Sequence, residues 1–197
     1  MSRTIDLVVS VAGLLILAPV LAIVGLAVWL ESTGPVIFRQ QRVGLEGKRF
    51  EIFKFRTMVV VGDARGPIIT SATDPRITRI GRLLRSTKLD ELPQLVNVLR
   101  GDMGLVGPRP EVPRYIALWS AEERDTILSM RPGISNPATV QFRRESELLA
   151  IVDDPERYYR EQILPMKVKT YVAYVENRTL RGDLRILGET VRETLFR

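Results

Sequence analysis

Asp90 and Glu91 stand side by side in the stretch LLRSTKLDELPQLVN, residues 83–97, with Arg85 and Lys88 just ahead of them. Asp90 is a good helix N-cap, with Pro93 still in the first turn, and a structural cap is one reading of it. The other reading uses the same geometry. A helix N-terminus presents free N–H groups and partial positive charge, which keep a carboxylate ionised and attract phosphate. An ionised carboxylate can attack a phosphoryl group and form an acyl phosphate. A second carboxylate beside it can hold Mg²⁺ against charge developing on a diphosphate.

The rest of the composition narrows the chemistry. The chain has no cysteine and no histidine. Thiolate nucleophiles, Cys/His zinc sites and Ser-His-Asp triads are therefore excluded. Any metal must be held by oxygen, which favours a hard ion such as Mg²⁺. The net charge of +6 suits phosphate-bearing partners: nucleotides, nucleic acid or anionic lipid. The aromatic residues do not interleave with Lys and Arg as a stacking platform requires, so nucleic acid is not an expected partner. A non-enzymatic, membrane-anchored basic adaptor is the alternative from another class.

The elements that position these residues follow from pattern. Residues 7–30, LVVSVAGLLILAPVLAIVGLAVWL, carry no charge. As a helix this run would extend roughly 36 Å, against a hydrocarbon core of about 30 Å. It is too long for a secretory h-region, and Asp6 does not suit an n-region. Pro19 near its middle predicts a kink. Pattern alone favours a single spanning helix, since spanning helices tolerate proline. Most Lys and Arg follow the run, which places the main domain on the cytoplasmic side.

Beyond Gly34-Pro35, residues 36–43 and 49–58 read as two strands joined by the GLEG turn. Alternation puts Lys54 and Arg56 on one face of the second strand and Phe53 and Phe55 on the other. Residues 59–73 read as a loop with Gly62, Gly66 and Pro67. Asp74-Pro75 reads as a helix start. A second helix is expected near Asp90, with Leu92, Leu95, Val96 and Leu99 as its apolar stripe and Gly101 as its stop. Asp183 is expected to cap a last amphipathic helix that turns Leu184, Leu187, Val191 and Leu195 inward. Arg109 lies between Pro108 and Pro110 in a stiff extended turn, where a salt bridge and ligand contact are both open. Arg131 precedes Pro132 and is open in the same way.

Three segments carry a resemblance: KFRTM (54–58), LDELPQLVNVLRGDMGLVGPRPE (89–111) and RPGI (131–134). They resemble the bacterial sugar transferases, and within them the monotopic polyprenol phosphate phosphoglycosyl transferases. The block 89–111 is the specific part, and the likeness extends over nearly the whole chain, here as the minimal catalytic unit. It implies a ping-pong transfer of sugar 1-phosphate from a UDP-sugar to polyprenol phosphate on the cytoplasmic face of the inner membrane. UMP is released, and the step opens glycoconjugate synthesis. On this pattern Asp90 is the nucleophile, Glu91 its partner and Mg²⁺ ligand, and Arg85 a phosphate contact, while Pro108, Arg109 and Pro110 lie against the nucleotide. Lys54, Arg56 and Arg131 complete the expected substrate-binding set.

The resemblance also reverses the membrane expectation. It implies an N-terminal re-entrant helix over 1–33, bent at Pro19, followed by a catalytic domain over 34–197 with interfacial amphipathic helices touching membrane lipids. The expected fold class is α+β, mainly helical, with a small β-hairpin; a homodimer is left open. One departure stands out. Many members continue RPGI with a stretch like TGWAQVNGR, whereas this chain reads RPGISNPATVQFRRE, so the sugar cannot be carried over from better-known members.

Overall fold

The computed structural model describes residues 1–60, 69–139, 141–142 and 144–195. Gly62, Gly66 and Pro67 of the expected loop lie outside the described residues, as does the side chain of Leu195. The architecture is mainly helical α+β, with an antiparallel hairpin and an N-terminal apolar helix.

The apolar run forms one helix, α1 (Arg3–Glu31), which remains helical through Pro19. It is long and apolar enough to cross a membrane. Asp6, Ser10, Val24 and Val28 form its buried stripe, while Val8, Leu15, Ile16, Ile23 and Trp29 remain exposed on the rest of its surface. Polar contacts fasten both ends. Arg3 donates to the Val98 carbonyl at 2.6 Å, and Asp6 Oδ1 accepts from Leu105 N–H at 3.4 Å. At the other end Arg56 donates to the carbonyls of Val28, Ser32 and Pro35, and Glu31 accepts from Ile80 N–H at 2.9 Å. The last carbonyls of a helix lack internal partners, and the Arg56 guanidinium supplies them.

Strands β1 (Ile37–Val43) and β2 (Arg49–Phe55) pair antiparallel, Ile37 opposite Phe55 and Val43 opposite Arg49. The second strand is shorter than expected because Arg56 turns toward α1 and Met58 pairs with Ile77. That pairing also moves the next helix. Asp74 does not cap it; its carboxylate is taken by Arg76, and Ile77 is held by its bridge to Met58. Helix α2 (Arg79–Ser86) starts after Thr78, whose hydroxyl accepts from Gly81 N–H at 2.9 Å. Gly81 lies hard against Thr57: a Cβ there would sit 2.1 Å from the Thr57 carbonyl oxygen. This close approach sets Arg85, one turn on, beside Thr57.

The expected helix at Asp90 is divided. Leu89–Glu91 is a tight 3₁₀ turn, and α3 (Gln94–Arg100) begins after Pro93. Pro93 has no N–H to bond the Leu89 carbonyl, so an α-helix cannot run through the carboxylates. Gly101 ends α3 in a left-handed conformation, φ 91°, as its position suggested. The buried face of α3 is Gln94, Leu95, Asn97 and Val98 rather than the purely apolar stripe expected. Asn97 is buried because it substitutes for a strand. It accepts from Phe53 N–H at 3.0 Å and donates to the Glu51 carbonyl at 2.7 Å.

Two short strands went unforeseen. β3 (Gly104–Val106) and β4 (Gly133–Ser135) pair parallel, Gly104 beside Gly133 and Val106 beside Ser135. Between them in sequence lie α4 (Pro113–Ile116) and α5 (Ala121–Leu128), the latter started by a Ser120/Glu123 capping box. After β4 come α6 (Glu145–Leu148), α7 (Pro155–Tyr158), a π-helical turn at Tyr159–Ile163 and α8 (Leu164–Glu176). Tyr115, Trp119, Ile127, Tyr159, Ile163 and Tyr171 form the core of this half.

The last helix, α9 (Leu180–Leu195), differs from expectation in phase. Asp183 is not its cap but a fully buried residue in its first turn. It accepts from Tyr174 Oη and Arg178 Nη2 and contacts the amine of Met1. That ionic anchor sets the rotation of the helix. Ile186 and Leu187 face the core, while Leu184 and Val191, expected inward, are more than half exposed.

Candidate active site

Four of the residues singled out in the sequence meet in one buried cluster. Glu91 Oε1 accepts from Lys54 Nζ at 2.6 Å and from Arg109 Nη2 at 2.7 Å. Lys54 comes from the end of β2, Arg109 from the segment after β3, and the carboxylates from the 3₁₀ turn between α2 and α3. Arg109 therefore makes the salt bridge left open for it, and it makes that bridge inside the cluster. Pro108 and Pro110 frame it through their carbonyls: Pro108 accepts from Gly133 N–H at 3.0 Å and Pro110 from Arg42 at 3.1 Å.

Asp90, adjacent to Glu91, is buried to 7 % exposure, and its Oδ1 has no hydrogen-bond partner among the described residues. The two carboxyls are driven apart. Burial raises the Asp90 pKa above the ordinary aspartate value, and the neighbouring Glu91 charge adds to it. Burial also opposes ionisation of Glu91, but Arg109 and Lys54 outweigh it and hold that carboxyl well below the usual range. Burial lowers the Lys54 pKa despite its contact with Glu91.

Arg85 donates to Thr57 Oγ1 at 2.9 Å and lies within electrostatic reach of Asp90 and Glu91. The structure places Arg56 and Arg131 elsewhere. Arg56 is 4 % exposed and spent on the end of α1, while Arg131 is exposed and donates to the Gly101 carbonyl at 2.8 Å.

Three residues near the cluster went unremarked in the sequence. Arg42 is half-buried, donates to the Pro110 carbonyl and lies 3.8 Å from Glu111. Glu111 accepts from Tyr159 Oη at 3.0 Å. Gln94 is 2 % exposed with an unpartnered Nε2. Alternation along β1 was the available signal for Arg42, since the hairpin register puts it on the same face as Lys54. Glu111 sat in the quoted block without an assigned task.

The donor set is oxygen only. No group of three or more Asp, Glu, His or Cys side chains gathers among the described residues. A Mg²⁺ ion at this site would be held by one or two carboxylates together with phosphate and water oxygens. The unpartnered Asp90 Oδ1 is an oxygen free for such contact, and Glu91 has only its Oε1 engaged by the two cations.

The model for the family described as bacterial sugar transferase matches residues 1–197. The chain belongs to that family. This bacterial sugar transferase is 40 % identical over 200 residues to an undecaprenyl-phosphate glucose phosphotransferase of Komagataeibacter xylinus, covering 98 % of this chain and 36 % of that protein. It is 38 % identical over 198 residues to a UDP-glucose:undecaprenyl-phosphate glucose-1-phosphate transferase of Caulobacter vibrioides, covering 98 % and 69 %. An exopolysaccharide production protein of Rhizobium leguminosarum is 37 % identical over 203 residues, covering all of this chain and 96 % of that protein. The sugar transferase thus spans about a third of the first relative's length and most of the other two.

Proposed function

We propose that this protein transfers a sugar 1-phosphate from a UDP-sugar to a polyprenol phosphate, of undecaprenyl length where its relatives' names apply, through a covalent intermediate on Asp90. The observation that carries the reading is the asymmetric acid pair: a buried Asp90 oxygen left without a donor beside a Glu91 tied to two cations. The Asp90 carboxylate attacks the β-phosphorus, the bond from that phosphorus to the UMP oxygen breaks, and UMP leaves. An oxygen of polyprenol phosphate then attacks the acyl phosphate, which releases the lipid diphosphate sugar and restores the carboxylate. Glu91 keeps Lys54 and Arg109 in place, and Arg85 supplies positive charge at the attacking end. Mg²⁺, when bound, would be held by Glu91 and would supply charge neutralisation on the diphosphate.

The test is UMP release from a panel of UDP-sugars, with Mg²⁺ and then with EDTA. A burst without lipid, a phosphosugar adduct at Asp90 in the intact-protein mass and silence in EDTA are expected. Steady release only in the presence of lipid, with no burst and no adduct, would replace the covalent route with direct displacement.

The protein acts on the cytoplasmic face of the inner membrane, with α1 entering and leaving by that face. Support comes from the polar fastening of both ends of α1 to one domain, since Arg3 and Asp6 would otherwise have to leave their partners on the far side. Single cysteines at Ser2 and Ser32 in intact cells both resist a membrane-impermeant thiol reagent if α1 re-enters. Labelling at residue 2 alone would make it a spanning helix.

A further inference from the structure

Among the described residues, two that are not glycine have positive φ, Glu46 and Lys88. Glu46 lies in the exposed hairpin turn and pairs with Lys48. Lys88, φ 57°, joins α2 to the turn that carries the acid pair. Its carbonyl accepts from Glu91 N–H at 3.1 Å. A left-handed conformation costs an L side chain roughly 1–2 kcal/mol, and glycine would make the same turn without that cost. Backbone geometry alone therefore gives no reason for a lysine here.

The side chain supplies one. Lys54 and Arg109 are both engaged with Glu91, Arg56 with backbone carbonyls and Arg85 with Thr57. The Lys88 side chain is exposed and makes no hydrogen bond or ion pair among the described residues, two positions ahead of Asp90. It is near enough to favour the charged forms of both Asp90 and Glu91. It is thus an uncommitted cation at the solvent side of a site whose Lys54, Arg85 and Arg109 are already engaged.

We propose that Lys88 is a phosphate-binding residue whose ammonium holds the phosphate oxygens of the ligand delivered to Asp90. This rests on the transferase reading above. The phosphate belongs either to the donor diphosphate or to the lipid acceptor, and the two half-reactions separate them.

Lys88→Gly keeps the turn and removes the charge; Lys88→Arg keeps the charge. Both are compared with wild type in three measurements: the lipid-free UMP burst, steady-state KM for polyprenol phosphate at saturating donor, and calorimetric binding of UDP. Lys88→Gly melts at or above wild type. It raises the donor concentration needed for the burst and weakens UDP binding, each roughly tenfold, as expected for a lost charged contact, and Lys88→Arg recovers most of both. A raised polyprenol phosphate KM with the burst and UDP binding intact assigns the contact to the lipid phosphate. Unchanged values in all three overturn the proposal. So does a Lys88→Arg enzyme as impaired as Lys88→Gly, because charge would then not be the cause. If wild type releases no UMP, the transferase reading fails. Binding of UDP and of polyprenol phosphate then decides Lys88 alone: a roughly tenfold loss of either in Lys88→Gly keeps it as a phosphate contact, and equal affinities for both overturn it.

Discussion

Two buried aspartates in this molecule are treated in opposite ways. Asp183, in α9, accepts hydrogen bonds from Tyr174 and Arg178, and its donors hold its pKa low although burial opposes them. Asp90, in the turn before α3, has an oxygen with no donor, and burial with the Glu91 charge pushes its pKa up. A buried acid with every oxygen satisfied fastens structure. A buried acid left short of donors costs stability, a cost that the nucleophilic role proposed above for Asp90 would account for.

The largest expected effect is at the unsatisfied acid. Asp90→Asn should lower UMP release by at least about a thousandfold, as loss of a nucleophile does. It should not lower the melting temperature, because it removes a poorly solvated charge. A variant that unfolded as readily as an Asp183 variant would erase the contrast between the two sites. Glu91→Gln comes next. It strands Lys54 and Arg109 beside a neutral amide, so stability should fall by about 3 kcal/mol in denaturant unfolding, as when one partner leaves a buried ion pair. Activity should fall with it.

Asp183→Asn should cost about 2 kcal/mol in the same unfolding experiment, for charged hydrogen bonds lost in the interior. The turnover of the folded fraction should be unchanged, and a loss of turnover would give Asp183 a part in the site. The smallest effect is the pH dependence. The lowered pKa of Asp183 means that its stabilisation is present above the ordinary aspartate value of 3.8 and disappears as pH falls through its lower folded value. The gap in melting temperature between wild type and Asp183→Asn should therefore close below about pH 4. Asp90 has the opposite sign: its ionised form is disfavoured by folding, so protonation on acidification adds stability. The acid limb of lipid-free UMP release should lie above the ordinary aspartate value, and a limb at or below it would contradict the raised pKa.

The features legible in the sequence were local patterns and motif-borne residues. The hairpin and the stop at Gly101 depend on short-range pattern, and the assembly of Lys54, Asp90, Glu91 and Arg109, although Lys54 and Glu91 lie 37 residues apart, on the KFRTM and 89–111 motifs taken together. The misread positions depend on partners that neither local pattern nor motif encodes. Lys54 and Arg56 share a strand face by alternation, yet one reaches the acid pair and the other the end of α1, 24 residues away at Ser32. Asn97 was absent from the expected buried stripe, and its strand partners, Glu51 and Phe53, lie 46 and 44 residues earlier. Asp74 carries a good cap signature, but Arg76 and the Met58–Ile77 bridge outcompete it. The exposed Leu184 and Val191 result from the phase imposed by Asp183, whose partner Tyr174 lies on the preceding helix.

The β3–β4 pair has a consequence for variation among relatives. Gly107 and Gly133 are so close that a Cβ on Gly133 would lie 2.0 Å from Gly107 N, which leaves no room for another side chain. Upstream, this seam holds the short tether to Arg109; downstream, it releases the chain at Asn136 into a stretch of turns. Whatever residues follow Asn136, the seam itself cannot take a side chain at Gly107 or Gly133 without moving the tether to Arg109, so the two glycines are where drift must stop.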